Sequence, residues 1–372
     1  VKRRKAWRGW QKPAHFDYNM VVIGAGSGGL VSAYIAAAVK AKVALIEKDK
    51  MGGDCLNTGC VPSKALIHVV RQLAEIRRNR LFFRIASQAK MTGEMLMGAV
   101  NDVVSQQVRE REGFYTRNEV DVVEGQACFL DPYTIEISGE GISSRQLTAD
   151  YFVIASGSHP YRPQDVDFSN SRVVDSYTVL QLRELPTSLT VYGAGVIGSE
   201  YASAFKDLGC KVNLVNTRAH LLEFLDAEIS TALSYHMADE QGIVIRPSEE
   251  YQRVEVCPDG VILHLQSGKQ IKSDLLLWAN GRTGNSAGLG LQHLDIVPDH
   301  RGNIPVNDCY QTSLPHIYAV GDIVGFPNLA SAAFDQGRFA GLHIAGGRSD
   351  LHLVAHIPTG IYTSPEISAL GS

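Results

Sequence analysis

Two cysteines, Cys55 and Cys60, are separated by four residues near the start of the chain. Such a pair can cycle between dithiol and disulfide, and it can exchange electrons with a bound cofactor only where the two are in contact. Gly52 and Gly53 lie just before the pair and let the backbone approach a pyrophosphate, which side chains would block. A helix that begins near Cys60 would direct its N-terminal dipole at the cysteines and favour the thiolate. The segment therefore predicts a redox-active cysteine pair.

The alternative interpretations of this segment are a pair of buried structural cysteines or half of a metal site. A metal site normally has a C-x2-C spacing and a second ligand pair, and the sequence contains neither. We therefore expect no metal at these cysteines.

Two internal repeats supply the elements that would position this chemistry. Each has an apolar run, the pattern G-x-G-x-x-G, a helical run and a second apolar run. From the first glycine to a distal position is 23 residues in both repeats, Gly24 to Glu47 and Gly193 to Asn216. A single such pattern is weak evidence, but two with matched distal positions are strong. The patterned glycines are Gly24, Gly26 and Gly29, then Gly193, Gly195 and Gly198.

The three glycines of each repeat have separate physical roles in binding a dinucleotide. The first makes the tight turn, the second admits the pyrophosphate, and the third lets helix and strand pack closely. The phosphates then lie at the N-terminus of the helix. The repeats predict an α/β fold with two Rossmann-like dinucleotide-binding domains.

The distal residues differ between the repeats. Glu47 can accept both ribose hydroxyls of an adenosine, whereas Asn216 has no carboxylate to repel a 2′-phosphate. Arg218 lies two residues further on and could pair with such a phosphate. The second site is therefore expected to accept NADP(H) at least as well as NAD(H). Arg218 could equally be an ordinary surface arginine.

Composition argues against nucleic-acid and membrane-spanning classes. The chain has 372 residues, is 45% hydrophobic and has a net charge of −4, which gives no reason to expect nucleic acid as a partner. No apolar stretch approaches the length of a transmembrane helix. Six scattered cysteines do not form a disulfide framework, and this favours a reducing, cytoplasmic location.

Further segments complete a resemblance to the class I pyridine nucleotide–disulfide oxidoreductases, a flavoprotein family. They are 153–158, 281–285 and 317–322. The resemblance implies FAD at the first fingerprint and NAD(P)(H) at the second. It also implies that Lys64 and Glu200 form a pair beside the flavin, and that a helix opens toward the flavin within 331–338. The implied FAD-binding residues are Gly24, Gly26, Gly29, Glu47, Gly53, Gly157 and Asp322, and the implied NAD(P)-binding residues are Gly193, Gly195, Gly198, Asn216, Arg218 and Gly281.

Different parts of the chain resemble different members of this family. From about Val100 onward the sequence is most similar to the pyridine nucleotide transhydrogenases, which usually carry threonine at the second cysteine position. Residues 30–65 are more similar to mercuric-reductase-like and lipoamide-dehydrogenase-like members.

These similarities leave three functions open. The first is transhydrogenation between NADPH and NAD⁺ through FAD, which the longer matching stretch favours. The second is reduction of a disulfide or metal ion through Cys55 and Cys60, with Cys60 toward the flavin and Cys55 toward the substrate. The third, of another class, is a flavin-binding scaffold or redox sensor without turnover.

The expected domain order is a basic tail or linker over 1–16, an FAD-binding domain over 17–160 and an NAD(P)-binding domain over 161–285. Residues 286–350 would return to the FAD or central domain, and 351–372 would begin a truncated interface domain. The tail carries tryptophans and basic residues, so it is either a solvated tail or a linker from a membrane domain.

The family resemblance bears on the C-terminal end. In the family, the interface domain builds a homodimer and supplies a His–Glu acid/base pair, and we expect both to be missing from this chain. Residues 362–372 are then expected to expose an unpaired edge strand.

Overall fold

The computed structural model describes residues 15–79, 81–82, 92–346 and 357–370. Nearly all of the proposed tail over 1–16 and part of the segment 351–372 lie outside the described residues. The chain divides into two compact units that interleave along the sequence. Unit 1 contains 1–57, 105–159 and 282–357, and unit 2 contains 58–104, 160–281 and 358–372. The functional domain boundaries expected from the sequence stay predictions.

The α-helices of the described part are α1 (Ser27–Ala38), α2 (Gly53–Asn57), α3 (Cys60–Arg78), α4 (Gly93–Arg117), α5 (Val196–Asp207), α6 (Ala227–Tyr235) and α7 (Ala330–Ile344). Short 3₁₀ helices occur at Thr178–Gln181, Leu291–Leu294 and Gly321–Val324, and a π-helical turn continues α6 over His236–Glu240.

The strands of the described part are β1 (Tyr18–Ile23), β2 (Val43–Glu47), β3 (Asp121–Glu124), β4 (Gln126–Asp131), β5 (Thr134–Gly139), β6 (Ile142–Ile154), β7 (Ser158–Pro160), β8 (Val173–Asp175), β9 (Ser188–Tyr192), β10 (Lys211–Val215), β11 (Val244–Arg246), β12 (Tyr251–Cys257), β13 (Gly260–Leu265), β14 (Gln270–Ser273), β15 (Leu275–Trp278), β16 (Arg282–Gly284), β17 (Ile317–Ala319), β18 (Thr359–Ile361) and β19 (Ile367–Ala369).

Unit 1 is built on a sheet in the order β3-β2-β1-β6-β5-β4, with β17 also pairing with β6. The pairs β1–β2, β1–β6, β2–β3 and β6–β17 are parallel, and β4, β5 and β6 form an antiparallel meander. Buried apolar runs such as Met20–Ile23 explain the central parallel strands, because both faces of such strands are covered.

Helices α1 and α7 pack together in unit 1 at unusually short range. A Cβ at Gly337 would lie 2.2 Å from the carbonyl oxygen of Gly28, so only glycine fits there. Ser32 donates its hydroxyl to the Gly337 carbonyl at 3.1 Å. The predicted helix over 331–338 is confirmed, and it begins one residue earlier, at Ala330.

Unit 2 is built on a parallel sheet in the order β11-β10-β9-β15-β8. An antiparallel sheet of β12, β13 and β14 supplements it. Helices α3 and α5 contribute to one apolar core with this sheet, through residues such as Leu66, Val70 and Phe205. The doubled strand–helix–strand architecture expected from the two repeats is therefore confirmed, with β1–α1–β2 in unit 1 and β9–α5–β10 in unit 2.

The expected unpaired edge strand over 362–372 is wrong for the described part of that segment. Ile367–Ala369 pairs antiparallel with Thr359–Ile361, and each strand of the hairpin contributes an apolar side chain to the unit 2 core. Burial of Ile361 and Ile367 provides the physical reason, because the pairing places both side chains in that core. In the described part of the chain, no helix is both long and apolar enough to cross a membrane.

The starts of β9 and β15 are joined by Asp274, whose carboxylate accepts the Thr187 hydroxyl at 2.5 Å and the N–H groups of Thr187 and Ser188 at 2.9 Å. The Thr187 hydroxyl, with these N–H groups, lowers the pKa of Asp274. A carboxyl with a lowered folded-state pKa stabilises the fold above its unfolded pKa, and this contribution disappears as pH falls through the folded pKa.

Asp274→Asn should therefore lower the free energy of unfolding by about 1–2 kcal/mol at pH 7. The difference from the parent protein should shrink below about pH 4, where the carboxyl of the unfolded chain becomes protonated, and should vanish below the lowered pKa of the folded carboxyl. Urea unfolding at pH 7 and at low pH measures both effects. The exposed Asp239→Asn in the same unit is the control, and a difference that grew with acidification would contradict the assignment.

Candidate active site

The first fingerprint turn, in unit 1, needs glycine at two positions and leaves open space at the third. Gly24 has φ +106°, and a Cβ there would lie 2.3 Å from the Ala155 carbonyl oxygen. A Cβ at Gly29 would lie 1.9 Å from the Gly24 carbonyl oxygen, where helix α1 passes over the turn. A Cβ at Gly26 would meet nothing within 4 Å.

The second fingerprint turn, in unit 2, repeats this geometry. Gly193 has φ +107°, and a Cβ there would lie 2.5 Å from the Ala279 carbonyl oxygen. At Gly198 the Cβ would lie 1.8 Å from the Gly193 carbonyl oxygen, and at Gly195 it would again meet nothing within 4 Å. Two separate turns thus have the same steric pattern.

The open space at Gly26 and Gly195 fits a dinucleotide pyrophosphate. Each residue is the N-cap of its helix, α1 or α5, and neither helix has an acidic residue in its first turn. The first N–H groups of a helix have no carbonyl partner within the helix, and the dipole favours an anion there. Both turns therefore meet the steric and electrostatic requirements of a bound pyrophosphate.

Gly53 lies against the first turn. It has φ +60°, and a Cβ there would lie 3.0 Å from the Gly26 Cα. The segment that leads into Cys55 is thus packed against the backbone of Gly26, on the side away from the open space. This contact agrees with the close backbone approach expected for Gly53, whose role as a cofactor ligand stays a prediction.

Glu47 is the last residue of β2 and its carboxylate reaches the same turn. One oxygen accepts the Ala25 N–H at 2.7 Å, and the other accepts the Asp49 N–H at 2.9 Å. The carboxylate is therefore held in place next to the fingerprint, as a ribose-binding acid requires.

Asp322 belongs to a polar network in unit 1. It accepts the Ser158 hydroxyl at 2.9 Å, and Arg282 donates to the same Ser158 hydroxyl at 2.7 Å. Arg282 also contacts Asp54 at 2.5 Å, and Asp54 directly precedes Cys55. Removal from solvent raises the pKa of Asp322, and the nearby Arg282 guanidinium opposes this effect.

Sequence reasoning missed the roles of Arg282, Ser158 and Asp54. Each lies inside a segment that carried the family resemblance or the cysteine pair, yet only the fold brings the three together. The signal that could have found them is that a partly buried arginine needs carboxylate partners, which could have been sought among residues of those segments.

The predicted position Gly157 belongs to a tight turn in unit 1. Gly157 has φ +70°, and its carbonyl accepts the Asn285 N–H at 2.9 Å. The Asn285 side chain donates to the Ser156 carbonyl at 2.8 Å and contacts His159 at 2.6 Å. In unit 2, Gly281 has φ +105°, and a Cβ there would meet nothing within 4 Å. Their cofactor contacts stay predictions.

The two cysteines lie on successive helices. Cys55 is half-buried on α2, and Cys60 is exposed as the first residue of α3. The expected helix start near Cys60 is confirmed. The disulfide between the two cysteines stays a prediction.

Lys64 and Glu200 form an ion pair in unit 2, with Nζ and Oε2 2.5 Å apart. Lys64 lies one turn after Cys60 on α3, and Glu200 lies on α5 just past Gly198. The Glu200 side chain is only 4% exposed, so its charge needs this partner. The structure thus brings together two residues that are 136 positions apart in sequence.

At the second distal position, the Asn216 amide donates to the His220 carbonyl at 2.8 Å, which holds the loop after β10. The guanidinium of Arg218 is largely exposed and lies 3.4 Å from the Glu223 carboxylate. Sequence reasoning missed Glu223, which would compete with a 2′-phosphate for Arg218.

The sequence profile of the family described as pyridine nucleotide-disulphide oxidoreductase matches residues 18–337. The chain belongs to this family. It is 48% identical over 357 residues to a soluble pyridine nucleotide transhydrogenase of Enterobacter sp. strain 638, an alignment that covers 96% of this chain and 76% of the relative. A protein of the same name from Salmonella typhimurium is also 48% identical, over 360 residues, with 96% and 77% covered.

Solved structures agree with this assignment. LpdA from Mycobacterium tuberculosis superposes with a TM-score of 0.87 at 27% identity, covering 95% of this chain and 78% of that one. The Cu(II) complex of the HOCl-induced flavoprotein disulfide reductase RclA from Escherichia coli has a TM-score of 0.84 at 25% identity, covering 97% and 78%. The chain is accordingly a flavoprotein oxidoreductase of a family that uses FAD and NAD(P)H.

The two open glycine positions should separate the two binding functions. Gly26→Ala should abolish flavin binding, because its methyl group would occupy the space for a phosphate. Gly195→Ala should leave flavin bound and weaken NADPH binding about tenfold or more, which is at least ~1.4 kcal/mol. Flavin absorbance and NADPH titration measure the two.

Neither substitution should change the thermal midpoint of the ligand-free protein appreciably, since neither methyl group meets a neighbour. Gly29→Ala and Gly198→Ala are the matched controls, and each should prevent normal folding because its methyl group would overlap a backbone oxygen. Normal flavin and NADPH binding by Gly26→Ala and Gly195→Ala would show that phosphates do not occupy these positions.

Proposed function

We propose that this protein is a pyridine nucleotide transhydrogenase that exchanges hydride between NADPH and NAD⁺ through bound FAD. The observation that carries the proposal is the pair of fingerprint turns, each with an open phosphate position at a helix N-terminus. The 48% identity to soluble pyridine nucleotide transhydrogenases over 96% of the chain supports it. Transhydrogenation requires only a flavin and two nucleotides, so it needs no further chemistry from the protein.

In unit 1, residues around the first fingerprint would hold FAD. The N–H groups at the start of α1 bind the pyrophosphate, and the Glu47 carboxylate accepts the ribose hydroxyls. Asp322, oriented by Ser158 and Arg282, would hydrogen-bond the ribityl chain. A flavin held by these residues would supply an acceptor and donor of hydride.

In unit 2, the second fingerprint would hold the nucleotide by the same physics. Glu200 keeps the Lys64 ammonium fixed, and a fixed charge stabilises charge that develops close to it without the cost of reorganisation. Burial of Glu200 strengthens its attraction for the ammonium, because a charge that is shielded from water is screened less.

A second candidate function is reduction of a disulfide or metal ion through Cys55 and Cys60. The observation that favours it is the location of Cys60 at the N-terminus of α3, where the helix dipole favours a thiolate. The structural similarity to RclA, an HOCl-induced flavoprotein disulfide reductase, also supports this second candidate.

An acceptor assay distinguishes the candidates. Purified, FAD-loaded protein is mixed with NADPH and thio-NAD⁺, lipoamide, glutathione disulfide or mercuric ion. We expect the largest turnover with thio-NAD⁺. Greater turnover with a disulfide or mercuric ion would favour the second candidate, and bound flavin that NADPH does not bleach anaerobically would favour a scaffold or sensor.

Arg218 should contribute to NADPH binding through the 2′-phosphate. Arg218→Ala should weaken NADPH binding by about 1–3 kcal/mol, the scale of a charge-assisted hydrogen bond, and leave NADH binding unchanged. Glu223→Gln is the opposing variant and should strengthen NADPH binding, because it removes the competing carboxylate. Fluorescence titration measures these affinities in the parent protein and both variants, and an NADPH affinity in Arg218→Ala equal to that of the parent would clear Arg218 of the role.

Cys60→Thr should separate the two candidate functions. It removes one member of the cysteine pair, so disulfide or mercuric-ion turnover should be lost, while the rate with NADPH and thio-NAD⁺ should stay within about threefold, under 1 kcal/mol of barrier. Cys309→Ser is the control, because it removes a cysteine outside the Cys55–Cys60 pair. Loss of both activities in Cys60→Thr would mean that transhydrogenation also requires the cysteines.

We further propose a cytosolic location and a homodimer. Scattered cysteine usage supports the first and the family resemblance supports the second. Cell fractionation and sedimentation velocity test them.

A further inference from the structure

Residues 362–366 connect β18 to β19. Ile361 and Ile367 flank this segment, are 1% and 9% exposed, and belong to the apolar core of unit 2. Their burial fixes both ends of the segment.

Backbone groups of the segment bind two side chains of α5. The Tyr362 N–H donates to Glu200 Oε1 at 2.9 Å, and the Ser364 N–H donates to the Ser203 hydroxyl at 2.9 Å. Glu200 and Ser203 are three residues apart and so lie on one face of the helix. This face of α5 therefore binds the backbone N–H groups of every second residue, Tyr362 and Ser364.

Side chains of α3 bind the segment as well. Arg71 donates to the Thr363 carbonyl at 2.5 Å and forms an ion pair with Glu366. Lys64, seven residues before Arg71 and on the same face of α3, places Nζ 4.9 Å from the centroid of the Tyr362 ring. That distance is within the range of a cation–π contact.

Tyr362 thus contacts both members of the ion pair. Its N–H occupies the carboxylate oxygen of Glu200 that Lys64 does not use, and its ring faces the Lys64 ammonium. A buried carboxylate bound by one flexible lysine alone would leave an oxygen without a donor and the ammonium free to rotate away.

We propose that Tyr362 is a positioning residue that orients the Lys64–Glu200 pair, and this inference rests on the proposed role of that pair in hydride exchange. The ring restrains the ammonium from one side while Glu200 restrains it from the other. The backbone N–H fixes the carboxylate itself, independently of the side chain.

Chemical reactivity of Lys64 tests the proposal without any turnover. Protein with and without FAD is treated briefly with an acetylating N-hydroxysuccinimide ester, and acetylation of Lys64 is followed by mass spectrometry. Tyr362→Leu should accelerate it about 2- to 30-fold, the factor that corresponds to loss of a cation–π contact. Tyr362→Phe, which keeps the ring, should match the parent protein.

Tyr235→Leu is the matched control, because Tyr235 is an exposed tyrosine on α6 of the same unit. It should leave Lys64 acetylation unchanged. The thermal midpoint of each variant checks that Tyr362→Leu is folded. Equal acetylation of Lys64 in folded Tyr362→Leu and in the parent protein would overturn the proposal.

A kinetic readout follows in the loaded protein. The rate of flavin reduction by NADPH, measured by stopped flow, should be lower in Tyr362→Leu than in the parent protein and equal to the parent rate in Tyr362→Phe. The NADPH affinity of both variants should be unchanged. If the parent protein does not react with NADPH, the proposed function fails while the acetylation result still decides the positioning role. If the parent protein reacts and Tyr362→Leu reacts equally fast, only the positioning role fails.

Discussion

The structure depends on a steric constraint at the two fingerprint turns, where one stretch of backbone lies directly against another. At Gly29 and Gly198 the chain passes so near a carbonyl oxygen that a single methyl group would overlap it. This closeness brings the N-terminus of each helix to the end of its strand, where the unpaired N–H groups of α1 and α5 can face an anion. The phosphate binding proposed for both units depends on that approach.

The charged side chains near these turns are held by hydrogen bonds and ion pairs with other side chains. In unit 1, Arg282 joins Asp54, Ser158 and Asp322 in one network, so the residue before Cys55 and the acid of the 317–322 segment share a cation. In unit 2, Glu200 is nearly buried and has a donor for each carboxylate oxygen. Buried polar groups whose hydrogen bonds are all satisfied keep one geometry. If such a group lost a partner, its desolvation penalty would no longer be offset by a hydrogen bond.

The two repeats have diverged where a nucleotide's ribose would lie. Glu47 is held by two N–H groups as an acceptor, whereas Asn216 uses its amide to bind the His220 carbonyl. Because a dinucleotide-binding acid repels a 2′-phosphate, this change is the basis for the proposed binding of NADP(H) at the second site. Glu223 pairs with Arg218 and would compete with a 2′-phosphate for its guanidinium.

Sequence alone determined the doubled α/β architecture, the six fingerprint glycines and the helix start at Cys60, because glycine patterns and apolar runs act locally along the chain. Pairing across long separations was different. The contacts of Arg282 and the Tyr362 contact with Lys64 and Glu200 were not predicted, and the expected unpaired strand over 362–372 was wrong. Such contacts depend on which helix faces and hairpins the packed core brings together, and only the tertiary structure decides that.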